Sequence, residues 1–455
     1  MSGTIAVIGA GPGGLAAAKG ARGAGADRLI ILERNDETGG ILNQCIHDGF
    51  GLIRYGKHLS GPQYAELALH EAKESGAEIL TGHHVIRIDP ESAGYSVVTI
   101  SRNGVESFHA DAVILSTGCR ERTRGAISIP GPRPSGIYTA GTAQNLINQR
   151  NILPGKKAVI LGSGDIGMIM ARRLRLEGAE VVSVIEILPE PAGLARNVSQ
   201  CLYDFDIPLR CSHTVSRIIG KKRIEAVEIS RVDDSRKPIP GTVEIIPCDT
   251  LILSVGLIPE NEVAETAGVK LNETSNGAVT DAYLQTSAAG IFACGNSRAI
   301  MDLADYVSEQ GEIAGYNAAA WIHGKKMKHW DAIRGTMMKK GFPEPGTITC
   351  TLCPNGCQVK AVHGVISGNR CPKGAAFFTQ ESVSPKRTVT TTIKTADGKL
   401  LPVHAGTAVR KDDVLKLVQK ISHMTLSGKV QCDETIGRIR LGDYETEVIA
   451  SASSD

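Results

Sequence analysis

IAVIGAGPGG, residues 5–14, is an apolar run broken by Gly9, Gly11 and Gly14 and followed by the helix-like LAAAKGARGAG. The spacing is G-x-G-x-x-G, with a strand before it and a helix after it, as a dinucleotide-binding turn requires. The first glycine permits a tight turn out of the strand. The second lets backbone approach a pyrophosphate, and the third lets helix and sheet pack closely. Pro12 suits the first helical turn, where a missing N–H costs nothing. Pro12 and Gly13 open the helix whose N-terminus would hold the phosphates. The next apolar run, LIILE, ends in Glu33, nineteen positions beyond Gly14, and Arg34 follows it. A carboxylate there can accept hydrogen bonds from a ribose diol. The alternative is a glycine-rich turn that binds nothing.

The pattern recurs. KAVILGSGDIGMIMARRLRLEGAEVVSVIE, residues 157–186, has a strand, then Gly162, Gly164 and Gly167 around Asp165 and Ile166, then a helix and a strand ending in Glu186. The interval from Gly167 to Glu186 is again nineteen residues. Glu186, with no arginine pair beside it, favours a free 2′-hydroxyl and therefore NAD over NADP. A second Rossmann-like unit without cofactor is the alternative here.

Composition bounds what surrounds the two copies. A chain of 455 residues with 42% apolar content predicts several domains with full-sized cores. Aromatics are only 4%, which argues against a stacking surface for nucleic acid. A net charge of +2 provides no global field for a polyanion or an anionic membrane. No apolar run reaches the length of a membrane helix. The first strand begins within a few residues of Met1, so no signal peptide is expected and the cytoplasm is the expected compartment.

Between the copies, residues 61–77 read as an amphipathic helix, and EILTG and VIRIDP, the latter beginning at Val85, as strands. A hairpin around Asn103-Gly104 leads to a buried strand ending in Ser116-Thr117-Gly118. After the second copy, a strand meander over 211–256 ends at Gly256 and GLIPEN. Another strand ends in Gly295-Asn296, and a helix with Asp302 and Asp305 near its start follows. Past Trp330 the composition changes. Cys350, Cys353, Cys357 and Cys371 are spaced C-x2-C-x3-C-x13-C, and Pro372 follows the last. Four thiolates in this pattern suit a [4Fe–4S] cluster or an all-cysteine zinc site. Zinc more often uses paired C-x2-C knuckles, so the spacing favours the cluster.

Residues 1–330 resemble the two-dinucleotide-binding flavoproteins of the pyridine nucleotide-disulfide reductase superfamily. GGILNQCIHDGFGL, STGCRERTRGAISIPG and YTAGTAQNLIN are similar to the FAD/NAD subunit that accompanies anaerobic glycerol-3-phosphate dehydrogenase. They are less closely similar to the alpha subunits of sarcosine oxidase, opine dehydrogenase and hydrogen cyanide synthase. The tail resembles a small cysteine-rich protein found with that FAD/NAD subunit. Its cysteine run resembles the N-terminal cluster segment of molybdopterin oxidoreductases. The resemblance implies FAD on the first copy, with Gly40, Val85, Thr117, Gly118, Gly295, Asn296 and Asp302 among its contacts. Disulfide reductases of that group place a C-x4-C pair where this chain has only Cys45, so no redox disulfide is expected there. Cys45 and His47 either face the flavin or are a buried thiol and a loop histidine. Asn296 stands where the family usually has an acid.

The expected fold class is α/β, with two Rossmann-like domains of the three-layer ββα type and a small C-terminal α+β cysteine-rich module. The expected boundaries are 1–124 with 281–334 for FAD, 125–280 for NAD(H), and 346–455 for the module. The expected function is electron transfer between NAD(H), FAD and the cluster, with a glycerol-3-phosphate dehydrogenase-like flavoprotein as partner. A stand-alone NADH oxidase or reductase with a zinc tail, and a slow redox-sensing nucleotide-binding protein, are the other readings.

Overall fold

A computed structural model describes residues 3–331 and 338–454. The chain divides into two compact units, Met1–Arg120 with Leu257–Arg334 and Glu121–Gly256 with Gly335–Asp455.

In the first unit, a five-stranded parallel sheet runs in the order Ile291–Ala293, Ala112–Leu115, Thr4–Ile8, Arg28–Leu32, Glu78–Leu80. Alternation along the strands builds two cores. Ile5, Val7, Leu29 and Ile31 point to the helices, while Ala6, Ile8, Ile30 and Leu32 point to an antiparallel sheet of His84–Pro90, Tyr95–Ser101 and Gly104–Ala110. Side chains two apart share a face, so one buried sheet supplies both layers. The helix side is drawn tight by small residues. A Cβ on Gly311 would lie 2.0 Å from the Gly13 carbonyl oxygen, and one on Gly315 2.0 Å from that of Ala17. The helices Pro12–Gly23 and Ala304–Ile322 therefore meet backbone to backbone.

The second unit repeats this plan. Its parallel sheet runs Ile137–Thr139, Thr250–Leu253, Lys157–Leu161, Glu180–Ile185, Leu209–Arg210. Ala158 and Ile160 face helices, and Val159 and Leu161 face the antiparallel strands His213–Ile219, Ala226–Arg231 and Glu244–Pro247. The C-terminal residues pack in the same unit. They form a small sheet of Ile348–Thr349, Gln358–Val362 and Val365–Ser367, the helix Pro372–Val383, and a five-stranded sheet covered by the amphipathic helix Val414–Ser422. The fold is α/β with two Rossmann-like domains and a small, β-rich C-terminal domain. Among the described residues no helix is long and apolar enough to cross a membrane.

Candidate functional site

Both glycine turns leave the carboxyl end of the central strand of a parallel sheet, where ligands bind in open α/β folds. Their geometries match. A Cβ on Gly9 would lie 2.4 Å from the Ser116 carbonyl oxygen, and one on Gly162 2.0 Å from that of Ser254. A Cβ on Gly14 would lie 1.9 Å from the Gly9 oxygen, and one on Gly167 2.4 Å from the Gly162 oxygen. Protein packing thus demands glycine at the first and third positions. The middle positions differ. Gly11 has nothing within 4 Å of such a Cβ, and Gly164 has only Ser254 Oγ at 3.9 Å. The space over the middle glycine is open, as close approach of a pyrophosphate requires. Gly13 faces Ser116 Oγ and the buried thiol of Cys294, which burial pushes up to about 12.

The two acids also correspond. Glu33 Oε2 accepts from the Ala10 N–H at 2.8 Å, and Oε1 accepts from the N–H and Nδ2 of Asn35 at 2.9 Å each. Glu186 Oε2 accepts from the N–H and Oγ of Ser163 at 2.8 and 2.5 Å, and Oε1 from the Leu188 N–H at 2.9 Å. Each carboxylate is 4% exposed and accepts three hydrogen bonds. A carboxylate has about four lone-pair positions, so each keeps room for a ribose hydroxyl. The residues present fit an adenine dinucleotide in each fold. A 2′-phosphate at Glu186 would meet a buried carboxylate.

Around the first turn, Gly39 N–H donates to the Ala10 carbonyl at 2.8 Å. Gly40, at φ +57°, comes within 3.2 Å of Gly11 Cα when a Cβ is placed on it. Gly118, at φ +75°, has open space beside it, and Thr117 Oγ1 donates to the Glu260 carbonyl at 2.6 Å. Gly295 N–H donates to the buried Gln310 Oε1 at 2.7 Å. These glycines all line the same end of the sheet. Other expected contacts lie differently. Val85 turns its side chain into the core with Ile30 and Leu32, leaving its backbone as the part able to meet a ligand. Arg34 is exposed and pairs with Glu260 at 3.0 Å. Asp302 is exposed, whereas Asp305 is buried and accepts from the N–H groups of Gly51, Ile53 and Arg54. Cys45 is 8% exposed, and its carbonyl accepts from the Gly61 N–H. The His47 ring lies 5.0 Å from that of Phe50.

Asn296 explains its own departure from an acid. Its Oδ1 accepts from the Met301 N–H at 3.0 Å, and its Nδ2 donates to Cys119 Sγ at 3.4 Å. A carboxylate has no N–H to donate to that sulfur. Cys119 was not foreseen from the sequence, although its place directly after Ser-Thr-Gly was a usable signal.

In the second fold, Asp165 Oδ1 accepts from Leu194 N–H and Asn197 Nδ2, both at 2.8 Å. Ile166 is half-buried against the helical core, and Gly256, at φ +104°, accepts from the Arg122 N–H. Of the four spaced cysteines, Cys350 is buried at the end of its strand and Cys371 caps the helix Pro372–Val383. Burial pushes the Cys350 thiol up to about 11, and nearby Cys353, Cys357 and Cys371 add to the shift. Among the described residues, no three His, Cys, Asp or Glu side chains converge closely enough to hold a metal ion. Among the described residues no cysteine is joined in a disulfide.

Residues 3–311 match the family model for pyridine nucleotide-disulphide oxidoreductases, and residues 372–451 match a family described only as a protein of unknown function, DUF1667. A thioredoxin reductase of Listeria innocua is 27% identical over 71% of this chain and 94% of its own length. Rhodocoxin reductase of Rhodococcus erythropolis is 28% identical over 65% of this chain and 65% of its own. Among solved structures, T. acidophilum thioredoxin reductase superposes with a TM-score of 0.57 at 25% identity, over 70% of this chain and 97% of its own. A NAD-dependent persulfide reductase of A. fulgidus shares the fold over 92% of this chain and 76% of its own, with a TM-score of 0.53 at 19% identity. With two matched dinucleotide cradles and this family match over most of its length, the chain belongs to the pyridine nucleotide-disulphide oxidoreductase family and is an FAD-dependent NAD(P)H oxidoreductase.

Proposed function

We propose that the chain is the NAD(H)-linked electron-transfer subunit of a larger dehydrogenase, with a glycerol-3-phosphate dehydrogenase-like flavoprotein as partner. In this reading FAD occupies the fold of residues 1–124 and 281–334 and NAD(H) that of 125–280, and Cys350, Cys353, Cys357 and Cys371, which do not converge in this structure, are the ligands that a [4Fe–4S] cluster would draw together. When bound, the flavin and nicotinamide supply hydride transfer and the cluster supplies one-electron steps. The residues supply binding and orientation. Gly11 and Gly164 leave room for pyrophosphates, while Glu33 and Glu186 hold ribose hydroxyls. Gly118 leaves open space at the first sheet's end, while Gly40 and Gly295 let the chain pass close to Gly11 and Val307. The observation that carries the reading is the pair of cradles with the same middle-glycine opening and a buried acid. Four cysteines beyond the reductase fold support a route for electrons past the flavin.

The test is anaerobic titration of the flavin with NADH and with NADPH, combined with iron and acid-labile sulfide analysis. Rapid bleaching by NADH and stoichiometric iron and sulfide are expected. Zinc without sulfide would favour a stand-alone NADH oxidase or reductase, as one relative is named NADH oxidase. Preferential reduction by NADPH would overturn the role given to Glu186. Co-purification with a dehydrogenase whose substrate reduces this chain's flavin tests the partner.

A further inference from the structure

The cysteine segment is stitched to the second glycine turn by backbone hydrogen bonds. Gly193 N–H donates to the Ser163 carbonyl at 3.1 Å, inside that turn. Gly193 in turn accepts from the Gly341 N–H at 3.1 Å, and Ala195 N–H donates to the Lys339 carbonyl at 2.9 Å. Lys339 N–H then donates to the Asn355 carbonyl at 3.2 Å, between Cys353 and Cys357. The chain continues through Gly356 N–H to the Cys353 carbonyl at 3.3 Å and Cys350 N–H to the Cys357 carbonyl at 2.9 Å. Residues 339–341 are thus a strap between the loop that follows Glu186 and the loop that carries three of the four cysteines. All of it lies within the second unit.

The turn end of the strap has a built-in reason to respond to a nucleotide. Ser163 Oγ donates to Glu186 Oε2 and accepts from the Ala192 N–H at 3.0 Å. A ribose hydroxyl arriving at the spare position of Glu186 Oε1 draws on the same carboxylate that Ser163 holds through Oε2, so a turn of that carboxylate is felt at Ser163. Any shift of Ser163 reaches Ala192 and Gly193 directly. Near the other end, a Cβ placed on Gly356 would lie 3.7 Å from the Arg196 amide nitrogen, so the cysteine loop touches the same segment a second time.

We infer that nucleotide occupancy of the second fold and the state of the Cys350–Cys371 loop are coupled through the 339–341 strap. The coupling is reciprocal: whatever the cysteines hold must change the affinity for nucleotide by the factor that nucleotide changes theirs. The inference rests on reading the second fold as the NAD(H) site, and the experiment separates the two.

Hydrogen–deuterium exchange of the FAD-loaded full chain is followed over 339–341 and 353–357, with and without saturating NAD+, while calorimetry reports binding. Alkylation of Cys353 by N-ethylmaleimide gives a second readout. NAD+ is expected to slow exchange in both segments, and alkylation, by about tenfold. Gly341→Val should still bind NAD+ but lose the protection at 353–357. Gly341 sits at φ +86°, and a Cβ there would lie 2.9 Å from Glu190 Oε2. Lys339→Pro removes the N–H given to Asn355 together with the Lys339 pair to Glu344 and should do the same, while Lys339→Ala, which keeps the N–H and loses only the pair, should retain the protection and so separates the strap from the side chain. Calorimetric binding with unchanged exchange in both segments overturns the coupling alone. No binding of NAD+ or NADH overturns the reading of the second fold and the coupling with it.

Discussion

Glycines with the same sequence signature have different jobs. A methyl at Gly14 would overlap the Gly9 carbonyl, so Gly14→Ala should destabilise the chain by about 1–3 kcal/mol as forced overpacking, read as a lower Tm. A methyl at Gly11 meets no protein atom, so Gly11→Ala should fold normally yet purify with little FAD, measured by absorbance at 450 nm after gel filtration. Gly164→Ala should keep its flavin and raise KM for NADH at least about tenfold, equivalent to about 1.4 kcal/mol of lost binding. Equal loss of FAD in both alanine variants would contradict the division of labour between the folds. These positions were legible because the motif is local: strand, turn and helix are consecutive, and the spacing itself encodes the backbone path. Asn296 and Asp305 were not. Their roles depend on Cys119 and Arg54, 177 and 251 residues away, and no local pattern carries such partners.

At the scale of elements, the joint between the C-terminal sheet and the second fold is charged and buried. Arg387 donates to Asp204 from Nε at 2.5 Å and to Glu381 from Nη2 at 2.5 Å, and Lys411 adds a second pair to Asp204 at 2.9 Å. Burial alone would raise the Asp204 carboxyl. Hydrogen bonds and charge from Arg387 and then Lys411 outweigh it and hold the group below its ordinary 3.8. A carboxylate depressed in the folded state contributes stability above its unfolded pKa and loses it as pH falls through the folded value. The Asp204 share of stability should therefore be complete above about pH 5 and be lost progressively as pH falls from 3.8 through the lower folded value. Arg387→Met leaves Asp204 buried with one partner fewer and should cost about 3–5 kcal/mol in urea unfolding at pH 7, with a flatter acid limb. Binary alternation made the strands readable in advance, since Ile5 to Ile8 divide cleanly between two cores. This joint was unreadable for the opposite reason: Asp204 and Arg387 look like ordinary surface charges until the fold sets the turn Tyr203–Phe205 against the strand Lys386–Arg387.

For the whole molecule, the doubled cradle makes a prediction about ligands rather than residues. Saturating NAD+ should raise the Tm of the FAD-loaded protein, and Glu186→Ala should abolish that rise while leaving the flavin spectrum intact, as scanning calorimetry and absorbance would show. The repeat and the α/β class were legible from end to end because one period recurs. The placement of the cysteine loop beside the second turn was not, since it rests on backbone bonds between residues 193–195, 339–341 and 355 that no side-chain pattern announces. The glycine seam of the first unit has a consequence for how the molecule is made. Helix Pro12–Gly23 has its closest neighbour in Ala304–Ile322, which a ribosome adding ~5–20 residues per second delivers roughly 15–60 seconds later. In that interval the whole of 121–256 is synthesised and can condense, while the first half-sheet waits with Ala17 and Gly20 bare. The face of Pro12–Gly23 that meets Ala304–Ile322 is thus among the last surfaces of its unit to be covered, although the strand before it is paired on both sides long before.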